Sequence, residues 1–170
     1  MIVTIQFERK RNNNLLKSMK QLEDMTARVG WFEEATHRKG GSLAQIASVH
    51  EYGKTFSIAK TKATITIPPR PFMRPCIEEN NQKWQKLFDS AFVQDVATGL
   101  HPLSRAFQKV KIQMVQDLKS SIQNVDGDPL KESTIKQRNA HGNKQDSRLL
   151  IDYGDMLRGI CGKVEKGAPA

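Results

Sequence analysis

The stretch Thr64-Ile-Thr-Ile-Pro-Pro-Arg-Pro-Phe-Met-Arg-Pro-Cys-Ile-Glu-Glu-Asn-Asn-Gln-Lys-Trp-Gln-Lys-Leu-Phe88 decides how the chain is laid out. It starts as a β-branched strand, ends as a helix, and holds four prolines and two arginines in between. Proline cannot donate to a strand ladder, so the strand closes at Pro68. Pro68, Pro69, Pro71 and Pro75 fix their own φ and push the residues before them toward extended conformations. Residues 68–75 are therefore expected to form a stiff arm. Phe72 and Met73 would be apolar anchors on it, and Arg70 and Arg74 could grip carboxylates bidentately. The competing reading is a strand-to-helix connection whose Phe72 plugs the protein's own core. Arg70, Pro71, Phe72, Met73 and Arg74 are the candidate docking residues.

Upstream, Ile2 to Phe7 reads as an opening strand. Leu15, Met19, Leu22 and Met25 recur at helical spacing and predict a helix from Asn12 or Asn13 to about Ala27. Val29 and Trp31 then belong to a short strand. The glycine-containing loop from Thr36 to Ser42 leads into a helix, LAQIASVHEY, for which Ser42 is the N-cap and Gly53 the terminator. "FSIA" and "ATITIP" form a hairpin about the basic turn Lys60-Thr61-Lys62, with Ile65 and Ile67 on one side and Thr64 and Thr66 on the other.

Downstream of the arm, a helix is predicted from about Pro75 to Ala97 with Ile77, Trp84, Phe88 and Ala91 inward. Gly99 ends it, and Pro102 opens a second long helix whose seam is Leu103, Phe107, Val110, Met114, Leu118, Ile122 and Val125. A turn at 126–129, a short helix around 133–139 and a mobile polar loop over 140–148 follow. Leu149 to Ile151, a short helix capped by Asp152 or Tyr153–Gly154, and a last strand at "ICGKVEK" close the chain. The fold class expected is α+β: a small mixed or mostly antiparallel sheet packed against two long central helices, with extended loops or arms, in a single domain over residues 1–170.

The 170 residues include 27 Lys and Arg against 18 Asp and Glu, a formal net charge of +9. Such a field favours polyanions or acidic protein surfaces. The candidate DNA-facing positions, all on predicted loops, are Arg38, Lys39, Lys60, Lys62, Lys144 and Arg148. No base-reading signature accompanies them, so any contact with DNA would be nonspecific. His37, His50, His101 and His141 lie in four different elements without metal-ligand spacing, so no metal and no cofactor is expected. Cys76 and Cys161 lack the context that activates a thiol or makes a disulfide framework. Glu33–Glu34 and Glu78–Glu79 are adjacent pairs whose members diverge, which suits a solvated face better than acid–base work. The chain is expected not to be an enzyme; a small hydrolase built on a Cys/His or carboxylate site is the least supported alternative. The N-terminus turns charged too early for a signal peptide and no apolar run reaches membrane length, so no membrane contact and a cytoplasmic site of synthesis are expected.

Several segments in order, "VHEYG", a hairpin, "IPPRPFMRPCIEE", then "PLKESTIKQR" and "RLLIDYGDMLRGI", resemble the virion-morphogenesis or tail-completion proteins of tailed bacteriophages over roughly residues 43 to 165. Tyr153 stands where that family usually has Thr, and Arg148–Leu149 where it has Lys–Pro. The resemblance implies a non-enzymatic subunit of the virion neck, assembled in the host cytoplasm into a homo-oligomeric ring, hexamer or dodecamer. It would complete or cap the tail and join it to the DNA-filled capsid. Its partners would be other neck, connector and tail proteins, with genomic DNA in the channel. The arm and the 140–148 loop are the candidate subunit contacts, because a ring needs each copy to reach the next. The alternative is a basic, sequence-neutral nucleic-acid-binding module.

Overall fold

In a computed structural model, residues 25–57, 64–98, 102–140 and 148–166 are described. The opening strand at Ile2–Phe7, most of the following helix, Lys60, Lys62, His101, His141 and Lys144 lie outside them. In chain order the elements are β1 (Met25–Gly30), α1 (Leu43–Tyr52), β2 (Lys54–Ser57), β3 (Thr64–Ile67), α2 (Met73–Thr98), α3 (Pro102–Gln123), α4 (Glu132–Ala140), α5 (Asp155–Gly159) and β4 (Cys161–Lys166). The fold is α+β, with two long packed helices and antiparallel strands. The strands make two separate pairs, β1 with β4 and β2 with β3.

The chain divides into two compact units. Helix length gives the reason: at 26 residues α2 is about 39 Å long, more than one small core can cover. In the first unit, formed by residues 1–29, 81–114 and 162–170, α2 and α3 pack through aromatic contacts. Phe88 meets Phe107 edge-on with ring centres 5.1 Å apart and stacks with Phe92 at 6.1 Å. Ala91, Ala106 and Val110 are buried there, and Arg105 faces Asp95 at 4.0 Å. Arg28 and Glu165, 3.6 Å apart, link β1 to β4.

The second unit, residues 30–80 and 115–161, holds α1, the hairpin, the N-terminal part of α2, the C-terminal part of α3, α4 and α5. Its interior is Leu43, Ala47, Phe72, Cys76, Leu118, Ile122, Leu150, Ile151, Met156 and Ile160. The Trp31 ring meets Phe72 at a right angle, centres 5.8 Å apart. Trp31 also donates its indole N–H to the Met156 carbonyl at 2.9 Å. At Gly159 α5 runs close against α1: a Cβ there would lie 2.5 Å from Leu43 Cδ1.

Four sequence expectations shift. Met25 to Ala27, read as the end of a helix, are the start of β1; pairing with β4 overrides a weak helical stripe. Trp31 falls just past that strand. The hairpin pairs Lys54 with Ile67 and Phe56 with Ile65, so β2 starts immediately after Gly53, two residues before the expected start. Ile77, expected inside, is 50% exposed. The buried stripe of α2 is set by Phe72 and Cys76, and Ile77 points away from it. Along the α3 seam Val110, Leu118 and Ile122 are buried, Phe107 and Met114 half-buried, and Val125 falls past the helix end.

Candidate docking site

Every helix leaves the N–H groups of its first turn without intrahelical partners, and at a buried start something must accept them. At the head of α2 the acceptor is one side chain from the end of α1. Glu51 Oε2 accepts the N–H of Phe72 at 2.8 Å and of Met73 at 2.9 Å. Its Oε1 accepts the N–H of Arg74 at 3.2 Å and the Arg74 Nε–H at 3.0 Å. Pro75 has no N–H to satisfy, so the first turn is fully accounted for. Glu51 is 2% exposed. Burial alone would push its carboxyl upward, but the N–H groups of Met73, Phe72 and Arg74, with the Arg74 guanidinium, outweigh that and hold it below the usual glutamate value. Partial positive charge at a helix N-terminus works in the same direction.

The joint is reciprocal. The last carbonyls of α1 need donors, and the segment after the hairpin supplies them: Arg70 N–H donates to His50 O at 2.7 Å and Arg74 Nη2 to Glu51 O at 3.3 Å. For the two backbones to run this close, the residue after α1 must lack a side chain. Gly53 has φ +72°, and a Cβ on it would sit 2.9 Å from the Pro69 nitrogen. Ser121 of α3 adds a hydroxyl donated to Phe72 O at 2.7 Å. The prolines thus hold the chain extended while its N–H groups face Glu51, which is why the stretch stiffens itself.

This geometry corrects the reading of residues 70–74 as a free arm. Phe72 has no exposed surface and Arg70 is 8% exposed, so neither is available as an anchor for a partner. Arg70 donates from Nη2 to the Asp128 carbonyl at 3.2 Å. Pro71 and Met73 are half-buried. Arg74 alone of the five is exposed, with its guanidinium on Glu51 and 5.1 Å over the Tyr52 ring.

A second clamp holds the segment before α5. Arg138 of α4 donates from Nη1 to the carbonyls of Arg148 and Ile151, both at 2.8 Å, and from Nη2 to that of Leu149 at 3.3 Å. Next to it, Asp155 accepts Arg38 Nε at 2.9 Å, Arg38 Nη2 at 2.7 Å and Arg158 Nη2 at 2.7 Å. The Arg38 bond first, and those from Arg158 with it, overcome partial burial and keep the Asp155 carboxyl far below the ordinary range. Arg158 also donates to the Tyr153 carbonyl. The Arg38 guanidinium covers the Tyr153 ring at 4.2 Å and Lys39 Nζ lies 5.3 Å over it. Arg38 and Lys39 reach this place because the loop closes tightly, with Gly40 N–H donating to His37 O at 2.8 Å and both Gly40 and Gly41 at positive φ.

Between the two clamps lies a cavity of about 270 Å³, lined among others by Lys39, His50, Arg138, Leu150 and Tyr153. Burial, then the neighbouring Arg70 and Arg138, keep His50 below the ordinary histidine value. Of the basic loop positions, Arg38 and Lys39 are drawn together on Tyr153, whereas Arg148 is exposed and takes part in the Arg138 clamp through its carbonyl. Glu33, Glu34, Glu78 and Glu79 are all exposed. Among the described residues no group of three or more His, Cys, Asp or Glu could hold a metal ion, and no helix is long and apolar enough to cross a membrane. Cys76 is a buried free thiol and Cys161 an exposed one.

Sequence reasoning passed over Glu51 and Asp155. Glu51 had a legible signal: a carboxylate two residues before a helix-ending glycine, followed by a segment whose next helix starts with no Ser, Thr, Asp or Asn to cap it. Arg138 and Asp155 carry no comparable local mark. No family model, no curated protein and no solved structure matches the chain.

Proposed function

We propose that the chain is a structural, non-enzymatic subunit of a tailed-phage virion. In this reading copies assemble into a closed ring at the head–tail junction, complete or cap the tail, and join it to the DNA-filled capsid. The observation that carries the reading is where the resembling segments lie. "VHEYG", "IPPRPFMRPCIEE", "PLKESTIKQR" and "RLLIDYGDMLRGI" are spread over more than 100 residues, yet all fall in the second unit. Glu51 binds the first two segments to each other, and Arg138 binds the last two. A resemblance built of scattered pieces gains weight when those pieces fall in one unit and hold each other in pairs.

The chemistry of the contacts supports a mechanical role. Glu51 and Asp155 spend their oxygens on internal donors, and Arg138 on internal carbonyls, which is the use expected of groups that hold a shape rather than turn over a substrate. In a ring around DNA, the excess of Lys and Arg would meet phosphate without base readout. Partners would be further copies of the chain and the adjoining neck, connector and tail proteins.

The test is the mass of the purified protein by light scattering, with negative-stain imaging, at low and moderate salt, alone and with isolated tails. A closed ring of six or twelve copies, alone or on tails, is the expected result. A monomer that ignores tails and binds DNA with a steep salt dependence would replace this reading with that of a nucleic-acid-binding module.

A further inference from the structure

The hairpin β2–β3 is amphipathic, and its apolar side is not covered by the rest of its unit. Register places Thr55, Ser57, Thr64 and Thr66 on one face, with the Thr55 and Thr66 hydroxyls 3.2 Å apart. Lys54, Phe56, Ile65 and Ile67 occupy the other. A solvent-facing hairpin would ordinarily put its apolar face inward, yet Phe56 is 39% and Ile65 50% exposed. Beside them a groove of about 530 Å³ runs between the hairpin and α1, lined by Ile46, Val49, Tyr52, Lys54 and Phe56 among others. Tyr52 is 66% exposed. Among the described residues no carboxylate lines the groove, and Lys54 Nζ stands over the Phe56 ring at 5.2 Å. An exposed apolar surface of this kind with a polar rim marks an interaction site, and the charge of Lys54 calls for an acidic occupant.

The chain carries a matching surface of its own. On α2, Asp89, Val93 and Ala97 follow one another at four-residue steps and so share a face. All three are exposed, Val93 at 65%. A helix ridge with a small aliphatic knob and a carboxylate one turn away complements a groove with an apolar floor and a lysine.

We propose that the groove between α1 and the hairpin receives the Asp89–Val93–Ala97 ridge of a second copy, with Val93 against Tyr52 and Phe56 and Asp89 facing Lys54. A knob on one surface and a pocket on another make a head-to-tail contact, which propagates from copy to copy and closes into a ring when the rotation allows. The inference rests on the ring reading above and names the surfaces that build it.

The experiment compares solution mass against concentration, by light scattering, for the full chain and for Lys54→Glu, Asp89→Lys, Val93→Asp and the double variant Lys54→Glu/Asp89→Lys. All three positions are exposed, and circular dichroism checks that each variant folds. Each single change is expected to weaken self-association by about tenfold, the scale of losing one anchor. The double charge reversal is expected to bring it back to within about twofold of the native chain. Variants that assemble like the native chain would overturn the docking while leaving the ring reading intact, and so would a double variant no better than its parents. Unchanged self-association with lost attachment to isolated tails would assign the groove to a tail protein instead. A native chain that is monomeric both alone and with tails would remove the ring reading, and this contact with it.

Discussion

Replacing Glu51 with glutamine keeps the shape of the side chain that joins α1 to α2 and removes its charge. In the native protein the two carboxylate oxygens accept four donors, two from Phe72 and Met73 and two from Arg74. A glutamine oxygen can still take the Phe72 and Met73 N–H groups. Its amide nitrogen would then confront the Arg74 N–H and Nε–H, donor against donor. Two charge-assisted bonds disappear, and the two that remain fall to neutral strength. With each ionic bond contributing about 1.5 kcal/mol or more and each neutral one about 1 kcal/mol, the loss is roughly 4 kcal/mol. Relief from burying a charge offsets part of the penalty for the newly unpaired Arg74 N–H. At 2–4 °C per kcal/mol for a chain of this size, Tm should fall by roughly 8–16 °C. Trp31 packs on Phe72 and reports this joint by fluorescence; a Trp84→Phe background removes the second tryptophan signal.

The same substitution has a pH signature. Glu51 is held below its ordinary value, so on acidification the unfolded chain takes up the proton before the native one does. Its stabilisation is therefore complete above the ordinary glutamate value, about 4.3, and is lost as pH falls below that toward the native pKa. The native protein should lose more stability between pH 5 and pH 3 than Glu51→Gln does, and the two melting curves should converge. A variant that melts within 1–2 °C of the native chain at pH 7 would refute the account, because it would mean that the four donors find equivalent partners without the carboxylate.

Three other outcomes follow from the same contacts. Phe72→Ala opens a hole at a residue with no exposed surface and should cost about 3–5 kcal/mol, read by chemical denaturation; a cost below 1 kcal/mol would mean that Phe72 is not a core residue. Gly159→Ala forces a methyl to within 2.5 Å of Leu43 Cδ1 and should destabilise by about 1–3 kcal/mol, although alanine is the better helix former; pairing it with Leu43→Ala should recover part of the loss. Arg138→Lys keeps the charge but cannot reach three carbonyls with one ammonium, so amide exchange at residues 149–151 should speed up about tenfold or more while the Phe88 region stays unchanged.

Much of the secondary structure was legible because it rests on local physics. Gly53 stops α1 since only glycine tolerates that φ cheaply, Pro68 ends β3 for want of an N–H, and Pro102 opens α3 where a missing donor costs nothing. The α3 stripe of Val110, Leu118 and Ile122 was visible in the same way, as repeated apolar residues at helical spacing. Ile77 shows where periodicity fails: a stripe gives the pitch of a helix, but its phase depends on which residue the neighbouring elements cover. Cys76 took the inward position, and Ile77 was left outside. Met25 was misread for a related reason, since its strand exists through a partner far along the chain.

The sequence by itself determined the α+β class, the order of most elements and the rigid path from Pro68 to Pro75, all consequences of φ restriction, lost donors and short-range periodicity. Only the tertiary structure decided what that rigid path is for within the chain. Phe72 could have been an outward anchor or an inward plug, and both fit the same φ angles. The choice went to the plug because Glu51, some 20 residues earlier, offers a buried carboxylate that accepts three successive N–H groups of the α2 start, and taking those bonds turns Phe72 into the core against Trp31. A pairing between distant residues carries no local trace, since its free energy comes from burying and satisfying groups that are neighbours only after folding.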